Sequence, residues 1–414
     1  MSGGRTSVRD GRIPVRAAVF LGAAAGFRVE ELLLDPPGPG EVLVRMLASG
    51  VCHSDLHVLD GDWERPAPVA MGHEGAGIVE ELGPRVGSRF GGPRVGARPG
   101  DPAPGDPTME ARPGDPATGG PAAGDLVVLA WTAPCGACPA CARGEGFLCA
   151  DPRGGGHRRA AADVRLRRPD GTPVGVYSGI GTMATHQVVA AEAAIPVDPA
   201  LPAAEAALLG CAVTTGVGAA TRTAGVRAGE TVVVIGLGGV GLSAVMGAVL
   251  AGAARVVAVD RVAAKLELAR TLGATDAVLA GDGTATRAAV LRLLPGGADH
   301  ALEAIGLAAT VELALDVVRP GGTVTLVGMT PEGVRAGVDV YAFVERGIRL
   351  LGSNYGSAIP AEVFPELARH AVAGRLPVGW LIEERIGLDD LAPAFEALRR
   401  GDGARRVVVF DPPA

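Results

Sequence analysis

Four of the six cysteines in this 414-residue chain fall within one short run, C-x2-C-x2-C-x7-C, through Cys135, Cys138, Cys141 and Cys149. Thiolates spaced so closely can surround a single ion, and four sulfurs about one point is the set that structural zinc prefers. An iron–sulfur cluster is the rival reading, because the first three cysteines also have the spacing of a ferredoxin run. Against it, no proline directly follows Cys149 and no second set of cluster ligands exists. Disulfides staple short secreted chains, and this chain is long enough to bury a large core instead. Two cysteines remain, Cys52 and Cys211, with His73 between them in "MGHEGAG". Two thiolates and an imidazole form a three-ligand zinc set that leaves a fourth position for water or substrate, as catalysis on zinc requires.

A second chemical signal is the run "VVVIGLGGVG", which holds Gly236, Gly238, Gly239 and Gly241 around the pattern G-x-G-x-x-G, with Val240 inside it. A β-branched segment precedes it and a helical one follows. In that context the first glycine allows the tight turn, the second lets backbone approach a pyrophosphate, and the third lets helix pack on strand. The next strand, "RVVAVD", ends at Asp260, nineteen residues after Gly241. A carboxylate there can accept from both ribose hydroxyls of NAD and repels a 2′-phosphate, so NAD is expected over NADP. Arg261 beside it pulls the other way. Lys265 is the only lysine in the chain, which points to a specific use on the adenosine ribose, the alternative being a solvated helix position.

The elements that must carry these residues change along the chain. Residues 16–83 read as short strands and turns, a compact β domain. From Arg85 to Gly124 the composition collapses into Pro, Gly, Ala, Arg and Asp with a near-repeat, "ARPGDPAPGDP" and "ARPGDPATGGP"; the expectation is a flexible surface loop without a catalytic role. "DLVVLAW" restores the strand pattern just before the cysteine run. Beyond Cys211 strands alternate with helices, the signature of βαβ units and a parallel sheet. Residues 232–254 carry no charge and have the length of a membrane span, but six glycines interrupt them, so a buried strand, turn and helix is the better reading.

Composition excludes other classes. Hydrophobic residues are 48% and charged residues 20%, a globular balance, and a pI near 5.6 lacks the basic footprint of a nucleic-acid binder. Residues 1–13 read as a loose tail with no signal-peptide pattern; the expected location is the cytoplasm, with no membrane partner.

Taken together, "GVCHSDLH" (50–57), "GHEGAGIVE" (72–80), the four-cysteine run, "GCAVTTG" (210–216) and "GLGGVG" (236–241) resemble the zinc-dependent medium-chain alcohol dehydrogenases. The resemblance spans about Arg16 to Phe410, the Pro/Gly-rich segment excepted. It implies an α/β protein: a GroES-like β domain carrying two zinc sites, with an inserted Rossmann doubly wound parallel-sheet domain. The corresponding bounds are 14–212 for the GroES-like catalytic domain, including the zinc lobe at about 134–150. The NAD-binding domain takes 213–353, and 354–414 is a return segment completing the catalytic domain.

By position, the resemblance makes Cys52, His73 and Cys211 the ligands of a catalytic zinc, and Cys135, Cys138, Cys141 and Cys149 those of a structural zinc. It makes Asp55 the carboxylate that orients the histidine ligand and Glu74 the acid behind the zinc. Ser54 and His57 match a proton relay, His53 and Arg405 match pyrophosphate contacts, and Thr215 and Val240 match residues near the nicotinamide. Trp63, Trp131 and Ile180 fall on substrate-pocket positions, where ordinary core residues are the alternative. The implied activity is reversible hydride transfer from an alcohol, ionised on zinc, to NAD+. Candidate substrates are primary aliphatic or aryl alcohols or the thiol adduct of formaldehyde. Carbonyl reduction is the alternative direction, and a non-catalytic NAD- and zinc-binding protein the alternative class. Family members imply a homodimer or homotetramer.

Overall fold

The computed structural model describes residues 11–86, 120–149 and 164–410. The expected Pro/Gly-rich loop falls mostly on residues 87–119, outside the described residues. Ile13 is not tail but the first residue of a strand, Ile13–Phe20, paired antiparallel with Phe27–Leu34.

That pair closes a small barrel with Leu166–Arg167, Pro173–Val176 and Val69–Ala70. Beside it stands a mixed sheet in which Glu41–Gly50 is central. Gly75–Leu82 and His186–Ala190 pair with this strand from the front of the chain, and Arg405–Val409 pairs with it from the end, with Ile382–Ile386 beyond. The last strands therefore complete a sheet begun hundreds of residues earlier.

The other layer is a six-stranded, wholly parallel sheet in the order Asp276–Leu279, Arg255–Asp260, Thr231–Ile235, Ala298–Glu303, Val318–Leu326, Arg349–Gly352. Its central strands, TVVVI and RVVAVD, are buried on both faces, which is why their apolar runs do not alternate. Chain order reverses between Thr231–Ile235 and its neighbours, so the crevice at the carboxyl ends of these strands is where a ligand belongs.

The uncharged stretch 232–254 resolves as expected into strand Thr231–Ile235, a glycine turn and helix Gly239–Leu250. Among the described residues one helical run, Ala203–Thr223, is long and apolar enough to cross a membrane. Of its most apolar 18-residue stretch 89% is buried, and Gly216 explains how closely the run packs: a Cβ there would stand 2.2 Å from the carbonyl oxygen of Val240.

Candidate active site

The three ligands anticipated for a catalytic metal come from three different local structures. Cys52 is extended backbone, φ −122° and ψ 153°, at the junction between the central strand and helix His53–Asp60. His73 follows the barrel strand Val69–Ala70. Cys211 lies in a π-helical turn, Leu209–Val213, inside the long buried helical run. Such turns widen a helix by one residue and recur at functional sites. All three residues are buried, and their ligand atoms lie within 4.8 Å of one another.

The electrostatics fit a dication. Nδ1 of His73 is 3.2 Å from Oδ1 of Asp55, which also accepts the N–H of Gly72. Among the described residues Nε2 of His73 has no hydrogen-bond partner despite its burial, an orphan that a metal would satisfy. A hydrogen bond from the Cys211 thiol holds Cys52 well below the usual thiol range despite burial, while the same contact and burial push Cys211 up. Burial alone would lower His73, yet the Asp55 and Cys52 charges outweigh it and raise its pKa.

Behind this set, Oε1 of Glu74 accepts the N–H of Ala212 at 2.8 Å, tying the acid to the turn that carries Cys211. Burial pushes its pKa up to about 7, against the pull of Arg405, whose Nη1 is 3.7 Å from Oε2. Arg405 also donates to the Val51 carbonyl at 2.8 Å.

The second cluster is equally well formed. The sulfurs of Cys135, Cys138, Cys141 and Cys149 also lie within 4.8 Å of one another. Sγ of Cys135 accepts the N–H groups of Cys138 and Ala137, and Sγ of Cys149 that of Cys135. Burial and the neighbouring sulfurs push Cys141 up to about 12, so without a cation the cluster would retain protons.

A cleft of about 1120 Å³ runs from the three-ligand set to the parallel sheet. At its far end Gly236 turns with φ +91°, a conformation that favours glycine. A Cβ on Gly238 would meet nothing within 4 Å, leaving room for phosphate at the N-terminus of helix Gly239–Leu250. A Cβ on Gly241 would stand 1.7 Å from the Gly236 carbonyl oxygen, so that position serves close packing. Gly239 has another reason as well: a Cβ there would lie 2.0 Å from Nε of Arg405. Asp260 lines the cleft with both carboxylate oxygens engaged, Oδ2 by Leu237 N–H at 2.7 Å and Oδ1 by Val262 N–H at 2.9 Å. Each oxygen keeps a lone pair for a ribose hydroxyl.

His53, Ser54, His57, Thr215, Val240, Arg261 and Lys265 all reach this cleft. The His57 ring stacks on Trp63 with centroids 4.6 Å apart, and its Nδ1 is 2.8 Å from Oδ2 of Asp62. Trp131 lies over Tyr355, centroids 4.2 Å apart, and both line the cleft.

Ile180 corrects the pocket expectation. It is fully buried in a core cluster with Val42, Val44 and Met46, away from the cleft. The cause is the turn Tyr177–Gly179, where Ser178 adopts φ 52°. It directs Tyr177 and Ser178 to the cleft and Ile180 to the interior. Tyr177, whose ring meets His73 edge-on at 5.6 Å, was not singled out by sequence reasoning, and neither was Arg65. The charge of Arg65 within "DWERP" was a usable signal; Tyr177 offered none without its turn.

Two family models match the chain: an alcohol dehydrogenase GroES-like domain over residues 38–112 and a zinc-binding dehydrogenase domain over 239–373. The chain is 36% identical over 402 residues to the NDMA-dependent alcohol dehydrogenase of Amycolatopsis methanolica, covering 95% of this chain and 98% of that one. It is 32% identical to the S-(hydroxymethyl)glutathione dehydrogenase of Photobacterium damsela subsp. piscicida, covering 95% and 99%. The crystal structure of benzyl alcohol dehydrogenase from Acinetobacter calcoaceticus superposes with a TM-score of 0.80 at 29% identity, covering 96% of this chain and 99% of that one. The fold and the clustered ligands are those of a two-domain zinc oxidoreductase. The chain belongs to the zinc-dependent medium-chain alcohol dehydrogenase family, and its chemistry is alcohol oxidoreduction.

Proposed function

We propose that this chain is an NAD-dependent zinc alcohol dehydrogenase holding two zinc ions per subunit, one catalytic and one structural. The observation that carries the reading is the orphaned, buried Nε2 of His73 facing two thiols at one end of a cleft whose other end holds Asp260. Zinc supplies Lewis acidity toward the alcohol oxygen, and NAD+ accepts hydride.

The protein's own residues do the rest. Cys52, His73 and Cys211 hold the catalytic ion, and Asp55 keeps Nδ1 of His73 protonated so that Nε2 faces inward. Glu74 and Arg405 fix the Cys211 turn and the strand end beside Cys52 from behind. Ser54, which lines the cleft, would take the hydroxyl proton, and His57, also on the cleft wall, would carry it outward. Asp62 accepts from Nδ1 of His57, leaving Nε2 to receive that proton. At the other end the helix start at Gly239, with His53 and Arg405, would hold the pyrophosphate. Asp260 would accept from the ribose, with Arg261 and Lys265 beside it. Thr215 and Val240 would hold the nicotinamide, and Trp63 and Trp131 would exclude water from the reacting carbon.

Cys135, Cys138, Cys141 and Cys149 hold the structural ion. Thiols kept reduced in this way fit a cytoplasmic location. Among the described residues the outer edge of strand Arg349–Gly352 is unpaired, and in helix Val340–Glu345, just before it in the chain, Val340, Tyr341 and Val344 are each at least 70% exposed. This supports a homo-oligomer formed edge to edge through a second copy.

The thiol adduct of formaldehyde stays a second reading, supported by the Photobacterium relative. The deciding experiment measures NADH formation from an alcohol panel that includes benzyl alcohol and S-(hydroxymethyl)glutathione, before and after chelation and with zinc restored. NDMA, on which the Amycolatopsis relative's name says its activity depends, is tested as an added acceptor. Turnover untouched by full zinc removal would sink the proposal.

A further inference from the structure

The π-helical turn Leu209–Val213 carries Cys211, and a turn widened in this way shifts its carbonyls out of the ordinary helical ladder. Two of those carbonyls take hydroxyls from side chains. Thr214 donates from Oγ1 to the Leu209 carbonyl at 2.7 Å, and the phenol of Tyr355 donates to the Gly210 carbonyl at 2.6 Å. Gly210 directly precedes Cys211, so the phenol is fastened one residue from a candidate metal ligand. The ring of Tyr355 packs against Trp131, centroids 4.2 Å apart, and meets Phe364 edge-on at 6.4 Å. One side chain, 1% exposed, thus touches both the ligand turn and a wall of the cleft.

Tyr355 holds this place against backbone preference. Tyr355, Gly356 and Ser357 take φ of 54°, 63° and 52°, three successive left-handed residues of which only one is glycine. Other residues persist in that region where their surroundings over-determine it, and such strain gathers at functional sites. Here the Thr223 hydroxyl lies 2.9 Å from that of Ser353 and 2.8 Å from that of Ser357, clasping the segment on both sides of Tyr355. Gly356 is wedged against the helical run that carries Cys211: a Cβ on it would stand 2.5 Å from the Thr214 carbonyl oxygen. Asn354 donates from Nδ2 to the Phe147 carbonyl at 3.0 Å, in the lobe of the four cysteines.

We propose that Tyr355 is a positioning residue with two separable duties: its hydroxyl sets the Gly210–Cys211 turn and so the aim of the Cys211 thiol, and its ring holds Trp131 in the cleft wall. This rests on the reading of Cys52, His73 and Cys211 as a zinc set and of the cleft as an alcohol site. A buried carbonyl deprived of its donor loses the bond that fixes it, and an indole without its ring partner is free to tilt.

The test is a split between two variants. Tyr355→Phe keeps the ring and removes the hydroxyl, so zinc should leave the three-ligand site on the order of 10-fold more readily in graded chelator, while release from the four-cysteine site, the internal control, does not change. The ratio of kcat/KM for benzyl alcohol to that for 1-butanol should keep its wild-type value. Tyr355→Leu removes the ring as well, and there the ratio should also shift on the order of 10-fold, through KM. Tyr355→Met takes its place if the leucine variant does not fold. A side chain serving stability alone would lower the melting point and loosen both ions together with the ratio untouched, and that result overturns the assignment. Zinc retention unchanged in Tyr355→Phe strikes out the duty of the hydroxyl, and a ratio unchanged in Tyr355→Leu that of the ring. Hydrogen exchange of the purified protein needs neither zinc nor turnover: Tyr355→Phe should speed exchange of the Leu209–Val213 amides while helix Ala263–Thr271 keeps its wild-type rate. Faster exchange there in protein that takes no zinc at the three-ligand site supports the assignment, and the zinc reading alone fails.

Discussion

The Asp55 carboxylate lies 3.2 Å from Nδ1 of His73, fully buried, with Oδ2 lacking a hydrogen-bond partner among the described residues. Its work is to set the tautomer and aim of the imidazole. Asp55→Asn keeps the volume but weakens that hold, and zinc affinity at the three-ligand site should fall on the order of 10- to 100-fold. Competition with a metal-sensitive chelator measures this. Unchanged affinity would mean the carboxylate does not act through the ring.

The two cysteine sites should separate experimentally. Cys138→Ser removes one sulfur from a cluster none of whose cysteines lines the cleft, and zinc content should drop from about two ions per subunit toward one. The thermal midpoint should fall before the turnover of the remaining folded protein does. His73→Ala should do the reverse, abolishing turnover in a chain that still folds. Elemental analysis beside a melting curve distinguishes these outcomes.

Gly238 and Gly241 are two residues of one turn with opposite expectations. A methyl on Gly238 meets no protein atom, and its φ of −71° suits alanine, so Gly238→Ala should fold normally. It should weaken NAD binding, because the methyl occupies space open to the pyrophosphate. In Gly241→Ala the methyl would press on the Gly236 carbonyl oxygen, and the protein should lose at least about 1–3 kcal/mol of stability. Fluorescence titration with NAD and chemical denaturation read the two effects separately.

Acid should loosen the parallel sheet through Asp276 and Asp299. Asp276 is held below its ordinary value of 3.8 by the paired N–H groups of Arg255. Asp299 is held low as well, the N–H groups of Thr231 and Arg319 outweighing burial. A depressed folded pKa means the stabilisation is complete above about pH 4 and is lost as pH falls through the folded value. Asp276→Asn and Asp299→Asn should each cost about 1 kcal/mol at neutral pH after solvent screening and flatten the acid limb of the stability curve. An acid limb with the wild-type slope would refute this.

That these residues gather into two clusters was legible because cysteine is rare here and each thiol could be assigned; His73 stood out by its place between Cys52 and Cys211. The parallel sheet was legible because doubly buried strands leave continuous β-branched runs such as TVVVI. Ile180 was misplaced because its direction depends on Ser178 taking a positive φ, a backbone choice that serine does not advertise. The π-helical turn at Cys211 was equally hidden, since one extra residue per turn barely disturbs an already apolar pattern. Asp62 was missed because its partner His57 is reached only once the helix has closed at Gly61.

Arg405 presses on the glycine turn of the nucleotide helix and donates to Val51, which precedes it by 354 positions. A nascent chain emerging from the ribosome therefore exposes the flank of strand Glu41–Gly50 until synthesis has passed Arg405–Val409. Catalytic competence has to wait for that segment, and truncations that spare every ligand yet remove strand Arg405–Val409 should yield aggregation-prone, inactive polypeptide.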